Sequence, residues 1–451
     1  MSEASKHDAL AEKKEEPKEE VSDMVKAALD MLSQMEISKK ENDDVETYKK
    51  SLLDSNLLTE NTFEEIGVPE KIIESLYLLG FKNPSVIQKA SIPDIATGDN
   101  VAFQSHSGSG KTIAFLIGAL MKVDKTQHHP QVIIISPTRD LSKQIFGVLE
   151  DFKGKLEFTS LLALGDQIDR HATIKEQIIV GPPGTVKFAV QNLIETSKIK
   201  MIILDEADAL LTEDIGAQTI AAVRKVPQKQ LVLFSATFND NMKTIVSTIA
   251  KDIKTSYLEK HDLKPANISQ FYIEVNEREK IKTLIDLYGM ITTGQSIVFV
   301  QTRDKAAKVQ KELEDDGFDT SLLHGQLTPE ERDSVIAKYK KGEIKVLVTT
   351  NVLSRGLDVP QLNLAVNYDV PRTMTNEPDV ETYVHRIGRT GRFNRSGVSV
   401  TFIAGPRDLE ALLAIQSKVG HCVKLVSVDA LKEAISENLK KHDQAPETKK
   451  E

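Results

Sequence analysis

From residue 61 onward, short apolar runs alternate with amphipathic stretches. The runs at 101–104 (VAFQ), 131–136 (QVIIIS), 161–164 (LLAL), 177–180 (QIIV), 201–205 (MIILD) and 231–235 (LVLFS) are short and rich in β-branched residues. That pattern predicts buried strands rather than buried helices. A polar break around Pro265 reads as a linker. Beyond it the alternation restarts, with runs at 296–300, 320–324, 345–350, 364–368 and 398–403. Strands alternating with helices imply parallel sheets covered on both faces. The fold class predicted is therefore α/β, with two doubly wound parallel-sheet domains at 61–259 and 268–440 joined by a short linker, 260–267. A cleft between two such domains is a natural ligand site, because open α/β sheets bind beyond the C-terminal ends of their strands.

The ends of the chain read differently. Residues 1–60 are a charged extension, rich in lysine and glutamate and expected to be largely disordered. Inside it Val21, Met24, Val25, Ala28, Leu29, Leu32 and Met35 recur at helical spacing behind a candidate N-cap, Ser22. This short helix has two readings: packing on its own domain, or a detachable regulatory or partner-binding element. Residues 441–451 are a charged tail.

Composition narrows the class. Of 451 residues, 40% are hydrophobic and 28% charged, as in a soluble globular protein, and no apolar run reaches the roughly 20 residues that span a bilayer. Membrane insertion is not expected, and the first residues lack the apolar core of a secretory signal. The single cysteine, Cys422, excludes an internal disulfide framework and a cysteine-rich zinc site, and fits a nuclear or cytosolic compartment. The formal net charge of −9 argues against a nonspecific basic coat for nucleic acid. It leaves open a grip made of backbone amides and a few aimed arginines.

Two segments carry phosphate chemistry. After the run at 101–104, Ser107, Gly108, Ser109, Gly110, Lys111 and Thr112 form a glycine-rich turn leading into an apolar helix. Glycines there let backbone N–H groups approach phosphate oxygens, and the helix N-terminus favours the anion. Lys111 is placed to reach the β- and γ-phosphates of ATP, and the Thr112 hydroxyl to ligate Mg²⁺. The strict pattern asks for glycine where Ser105 stands, and the bland alternative is a turn that caps a helix. At the end of the run 201–205, Asp205 suits a Mg²⁺-holding acid and Glu206 a residue that orients or deprotonates water. Such a cluster alone can equally be a helix N-cap.

Read together as Asp205-Glu206-Ala207-Asp208, the tetrad resembles the signature of the DEAD-box RNA helicases of superfamily 2, and the likeness runs from about residue 61 to 435 in the family's order. The resemblance implies two RecA-like domains and an RNA-stimulated ATPase. It implies that Phe81 stacks on adenine and that Gln88 reads its edge, a sound match because a carboxamide offers one donor and one acceptor. Pro137, Thr138 and Arg139, then Pro183 and Gly184, resemble the first-domain RNA-backbone motifs, with Asp140 in place of the usual glutamate and Gly165-Asp166 in place of a glycine pair. Ser235 and Thr237 resemble the coupling motif, with their hydroxyls expected on the Asp208 carboxylate. In the second domain Thr302, Arg303 and Thr349 resemble RNA-facing residues, Asp358 a ribose-side contact, and His385 a coupling residue. Arg389 and Arg392 resemble the two arginine fingers on the γ-phosphate. Pro329 departs from the usual glutamine.

The absent arginine at Thr185, the departure at Gly165-Asp166 and the long stretch between Pro371 and Tyr383 are similar to the mRNA-export branch of the family. That branch implies single-stranded RNA in a messenger ribonucleoprotein as substrate, nuclear-pore and activator proteins as partners, a monomeric state, and residence in nucleus and cytoplasm at the cytoplasmic face of the pore. Two rivals stand beside it: a translation-initiation or general ribonucleoprotein-remodelling helicase, and a non-catalytic clamp latched by ATP.

Overall fold

The computed structural model describes residues 59, 61–105, 108–212, 215–227, 229–238, 240–250, 252–257, 268–290, 294–350, 362–373, 375–390, 397–419 and 424–425. All belong to one compact unit, Tyr48–Glu451. The N-terminal helix expected at 21–35, the linker, the charged tail, Ser107, Asp358 and Arg392 lie outside the described residues.

The first sheet comprises β1 (Val101–Gln104), β2 (Val132–Ile135), β3 (Ser160–Leu162), β4 (Ile178–Gly181), β5 (Met201–Asp205), β6 (Gln230–Ser235) and β7 (Lys254–Tyr257). The second comprises β8 (Ile268–Glu274), β9 (Gln295–Phe299), β10 (Thr320–Leu323), β11 (Val346–Thr349), β12 (Leu362–Asn367), β13 (Gly397–Ile403) and β14 (Lys424–Leu425). The orders are β3-β4-β2-β5-β6-β1-β7 and β10-β11-β9-β12-β13-β8-β14. Counted from the first strand of each lobe, they are the same order, so the chain folds the same doubly wound sheet twice. All pairings between these strands are parallel.

Continuous apolar strands follow from covering both faces. In β2, Val132 and Ile134 join one hydrophobic cluster while Ile133 and Ile135 join another. In β9, Val298 and its neighbours Ile297 and Phe299 divide in the same way. Side chains two apart share a face, so each run feeds two cores at once.

The strand boundaries agree with the sequence pattern to within a few residues. Three strands have no counterpart in it: β7, β8 and β14. Among the described residues β7 is an edge strand paired only with β1, and its Lys-Thr-Ser-Tyr sequence lacks the apolar run that marks a central strand. β8 turns Phe271 and Ile273 inward but alternates them with polar residues.

Candidate active site between the two lobes

The turn after β1 is shaped by its glycines. Gly108 and Gly110 have φ +80° and +98°, and a Cβ on Gly110 would stand 2.7 Å from Gln88 Nε2 and 2.8 Å from Ser85 Oγ. Those atoms belong to a capping box on the helix Val86–Thr97, in which Gln88 Oε1 accepts from the Ser85 N–H. Gln88 Nε2 also donates to the Gly110 carbonyl at 3.1 Å. One side chain thus caps its own helix and pins the turn, with one N–H and one lone pair still to spare for an adenine edge. Phe81 is buried in the first-lobe core.

Lys111 opens the helix Lys111–Lys122, and Asp205 ends β5. Glu206 follows with φ +53°, a left-handed conformation that is costly without glycine and is held where structure over-determines it. Lys111 Nζ lies 3.7 Å from Glu206 Oε2, and both side chains are buried. Neither atom has a hydrogen-bond partner among the described residues, nor does Asp205 Oδ1. Burial, then the neighbouring Glu206 carboxylate, pushes the Asp205 carboxyl up to about 7. Burial works the same way on Glu206, but the charges of Lys111, His385 and Arg389 outweigh it and hold that carboxyl below its usual range.

Asp208 is the junction of the lobes. Its Oδ2 accepts from the Thr237 hydroxyl at 2.9 Å and the Thr237 N–H at 3.2 Å. It also lies 3.1 Å from His385 Nε2 on the second-lobe helix Val380–Ile387, with both side chains fully buried. Ser235 corrects the expectation for the pair of hydroxyls. Its Oγ accepts the Asp208 backbone N–H at 3.1 Å and donates to the Thr237 carbonyl, because β6 ends beside the first turn of the helix Ala207–Leu210 rather than beside the carboxylate. Arg389, one turn beyond His385, is buried and donates from Nε to the His385 carbonyl.

The residues expected on RNA occupy a repeated device. Thr138 and Thr302 each follow the matching strand of their lobe, β2 and β9, and each caps a helix, accepting from Leu141 N and Lys305 N. Such helix starts present backbone N–H groups to an anion. Pro183 opens the helix Pro183–Asn192, with Gly184 next to it close to Gln218. Arg303 is exposed, whereas Arg139 is held by both carboxylate oxygens of Asp166, at 2.8 and 3.0 Å. Thr349 departs from expectation. It is fully buried and donates its hydroxyl to the Leu323 carbonyl, tying β11 to β10 and turning away from the surface.

Two features escaped the sequence reading. Asp369, just after β12, accepts from Lys280 at 3.0 Å, Lys305 at 2.7 Å and the Gln301 N–H at 2.9 Å, while its carbonyl accepts from Arg386. It joins the Gln301–Arg303 turn to the helix that carries His385. Its signal was its place, an acid at a strand end like Asp205. Across the cleft, Lys143 meets Asp333 at 3.2 Å, a pairing of two surface residues that no local pattern marks.

Comparison with known proteins agrees with this geometry. Residues 85–245 match the DEAD/DEAH box helicase family and residues 279–394 the helicase conserved C-terminal domain. The ATP-dependent RNA helicase DBP5 of Eremothecium gossypii is 39% identical over 372 residues, covering 81% of this chain and 80% of that protein. The structure of S. cerevisiae Dbp5 bound to RNA and ADP BeF3 superposes with a TM-score of 0.79 at 36% identity, over 84% of this chain and 99% of that one. A point variant of S. cerevisiae Dbp5 bound to Nup159, a Gle1 variant, IP6 and ADP superposes at 0.60 with 35% identity, over 83% and 100%. The two helicase domain matches and the 39% identity over most of both chains, with two lobes of one fold that meet at Asp208 and His385, place this chain in the family of DEAD-box ATP-dependent RNA helicases.

Proposed function

We propose that this helicase uses ATP-driven opening and closing of its two lobes to grip and release single-stranded RNA in messenger ribonucleoprotein, in export of mRNA at the cytoplasmic face of the nuclear pore. The observation that carries the reading is the contact of His385 with Asp208, which joins the second-lobe helix leading to Arg389 to the acid tetrad of the first lobe. ATP would lie on Phe81, Gln88, the turn 107–110, Lys111 and Thr112, with Asp358 and the fingers Arg389 and Arg392 supplied by the second lobe. Planar guanidinium forks suit oxygens that gain charge during phosphoryl transfer. Glu206 orients or deprotonates the attacking water, and Lys111 neutralises the phosphates.

Mg²⁺ fits the acids present. Asp205 keeps a buried oxygen with no hydrogen-bond partner among the described residues and is an expensive anion where it stands, a condition a cation relieves. Asp205 and Thr112 would hold the ion, which supplies charge neutralisation to the transferring phosphate.

RNA is gripped jointly by residues 137–139, 183–184 and 302–303, mostly through phosphate, with little sequence preference. Closing needs both ligands, since each adds binding energy to the closed state only. The better superposition on the RNA-bound Dbp5 than on the Nup159–Gle1 complex, at nearly equal identity, supports reading the arrangement here as the closed one. The Gle1 and Nup159 bound to those relatives support pore and activator partners for this chain as well.

Phosphate release from purified protein, with and without single-stranded RNA, tests the enzymatic half. A rate that RNA leaves unchanged rejects the coupling. Imaging tests the cellular half: enrichment at the nuclear rim supports export, and diffuse cytosolic signal favours a general remodelling helicase.

A further inference from the structure

We infer that Asp166 is a built-in competitor of RNA phosphate for Arg139, and that it limits how tightly the first lobe holds RNA. The inference rests on the proposed reading that residues 137–139 face the RNA backbone. Arg139 Nη1 and Nη2 donate to Asp166 Oδ1 and Oδ2 at 2.8 and 3.0 Å, a fork-to-fork pair. A phosphodiester presents two oxygens to a guanidinium in the same way, so carboxylate and phosphate seek the same two donors. Of the five N–H donors, the one on Nε is buried without a hydrogen-bond partner among the described residues, and each Nη keeps a second N–H outside the forked pair.

The surroundings add to the effect. Asp140 on the same helix and Asp333 on the second lobe both act on the Arg139 guanidinium after Asp166 does. Lys143 offsets part of that charge, because it meets Asp333 at 3.2 Å, so the bidentate Asp166 contact carries most of the competition. The pair remains exchangeable, because the Asp166 side chain is 51% exposed and water reaches its carboxylate. An unpaired arginine that meets RNA releases counterions and contributes fully to the salt dependence of binding. An arginine already neutralised by a carboxylate swaps one anion for another, and the displaced Asp166 stays close to the incoming phosphate. The consequence is a weaker and less salt-sensitive grip, suited to an enzyme that must let go of RNA in every cycle.

The test measures the affinity of full-length protein for a labelled single-stranded oligonucleotide, with ADP and beryllium fluoride, across a salt series. Wild type, Asp166→Asn, Arg139→Gln and the double variant are compared, with melting midpoints confirming a common fold. Asp166→Asn is expected to tighten binding roughly two- to fivefold. It should also steepen the dependence of log K on log salt by about 0.7, the share of one phosphate contact on a single strand. In the Arg139→Gln background the same change should do much less. Weaker binding in Asp166→Asn would make Asp166 a residue that positions Arg139, and would overturn the inference. Unchanged binding there, with Arg139→Gln weakened, also overturns it while leaving the RNA reading of residues 137–139 intact. If Arg139→Gln itself leaves affinity and salt slope unchanged, the RNA reading fails and takes the inference with it.

Discussion

His385 Nε2 and Asp208 Oδ2 lie 3.1 Å apart, although 177 positions separate them in the chain. The contact is the buried joint between the lobe that carries the phosphate turn and the lobe that carries Arg389. Because Asp208 is also held by Thr237, any movement of the second lobe reaches the end of β6 and the acid strand β5 beside it.

Removing the joint should uncouple the lobes while leaving the first lobe intact. For His385→Ala, the lost partner of a buried carboxylate costs about 1–3 kcal/mol. That loss falls on the closed state, so RNA-stimulated kcat should drop about tenfold or more. ATP affinity in the absence of RNA, read by equilibrium titration, should change little. An equal loss in both would show that His385 only supports the fold.

Glu206→Gln keeps the size and burial of the side chain and removes its basicity. Turnover should fall by roughly 10²–10⁴-fold, the usual worth of a positioned general base. ATP-dependent RNA binding should persist, because no phosphate-holding group is touched. Wild-type turnover in this variant would remove Glu206 from its assigned role.

Gly110→Ala meets two obstacles at once, a φ of +98° and a Cβ within 2.8 Å of both members of the Ser85–Gln88 capping box. A strained backbone of this kind costs about 1–3 kcal/mol. Thermal unfolding should show that loss, and nucleotide binding should weaken further because the turn and Gln88 are displaced together. A variant with unaltered melting and binding would mean that the turn relaxes freely.

Asp369 supplies a pH signature. Burial raises its carboxyl, but Lys280, Lys305 and the Gln301 N–H outweigh burial and hold it below the usual range. A carboxylate with a depressed pKa stabilises the fold above its unfolded value, and that contribution is lost as pH falls through the folded value. Asp369→Asn should therefore be less stable at neutral pH, by about 1–3 kcal/mol, because Lys280 and Lys305 lose a shared carboxylate and keep Glu277, at 2.9 and 2.6 Å, as their partner. The deficit should shrink steadily below about pH 4. Denaturant unfolding of both proteins across the acid range measures it, and a gap that does not change with pH would contradict the assignment.

The Lys143–Asp333 bridge spans the cleft, but its side chains are 39% and 40% exposed. Such pairs contribute about 0.2–1 kcal/mol and are screened by salt. A double-mutant cycle with Lys143→Ala and Asp333→Ala, read as the RNA concentration for half-maximal ATPase, should give a small coupling at low salt that vanishes at high salt. A coupling that survives salt would point to a drier contact than this geometry provides.

Much of this protein was legible along the chain, because its cues are local. Buried parallel strands require unbroken apolar runs, a turn with positive φ requires glycine, and the acids of the tetrad sit at a strand end; each demand falls on neighbouring residues such as Gly110 and Lys111 or Asp205 and Glu206. The edge strand β7 stayed hidden for the same reason, since an edge needs no such run. What folding decided is which distant charges meet. The closure of Asp208 on His385, the occupation of Arg139 by Asp166, the inward turn of Thr349 and the anchoring of three cations around Asp369 depend on side-chain direction and on the packing of separate elements. Those are properties of space, and residue order along the chain does not carry them. On the proposed reading, the acid tetrad marks where the chemistry happens, while the meeting of the lobes determines when.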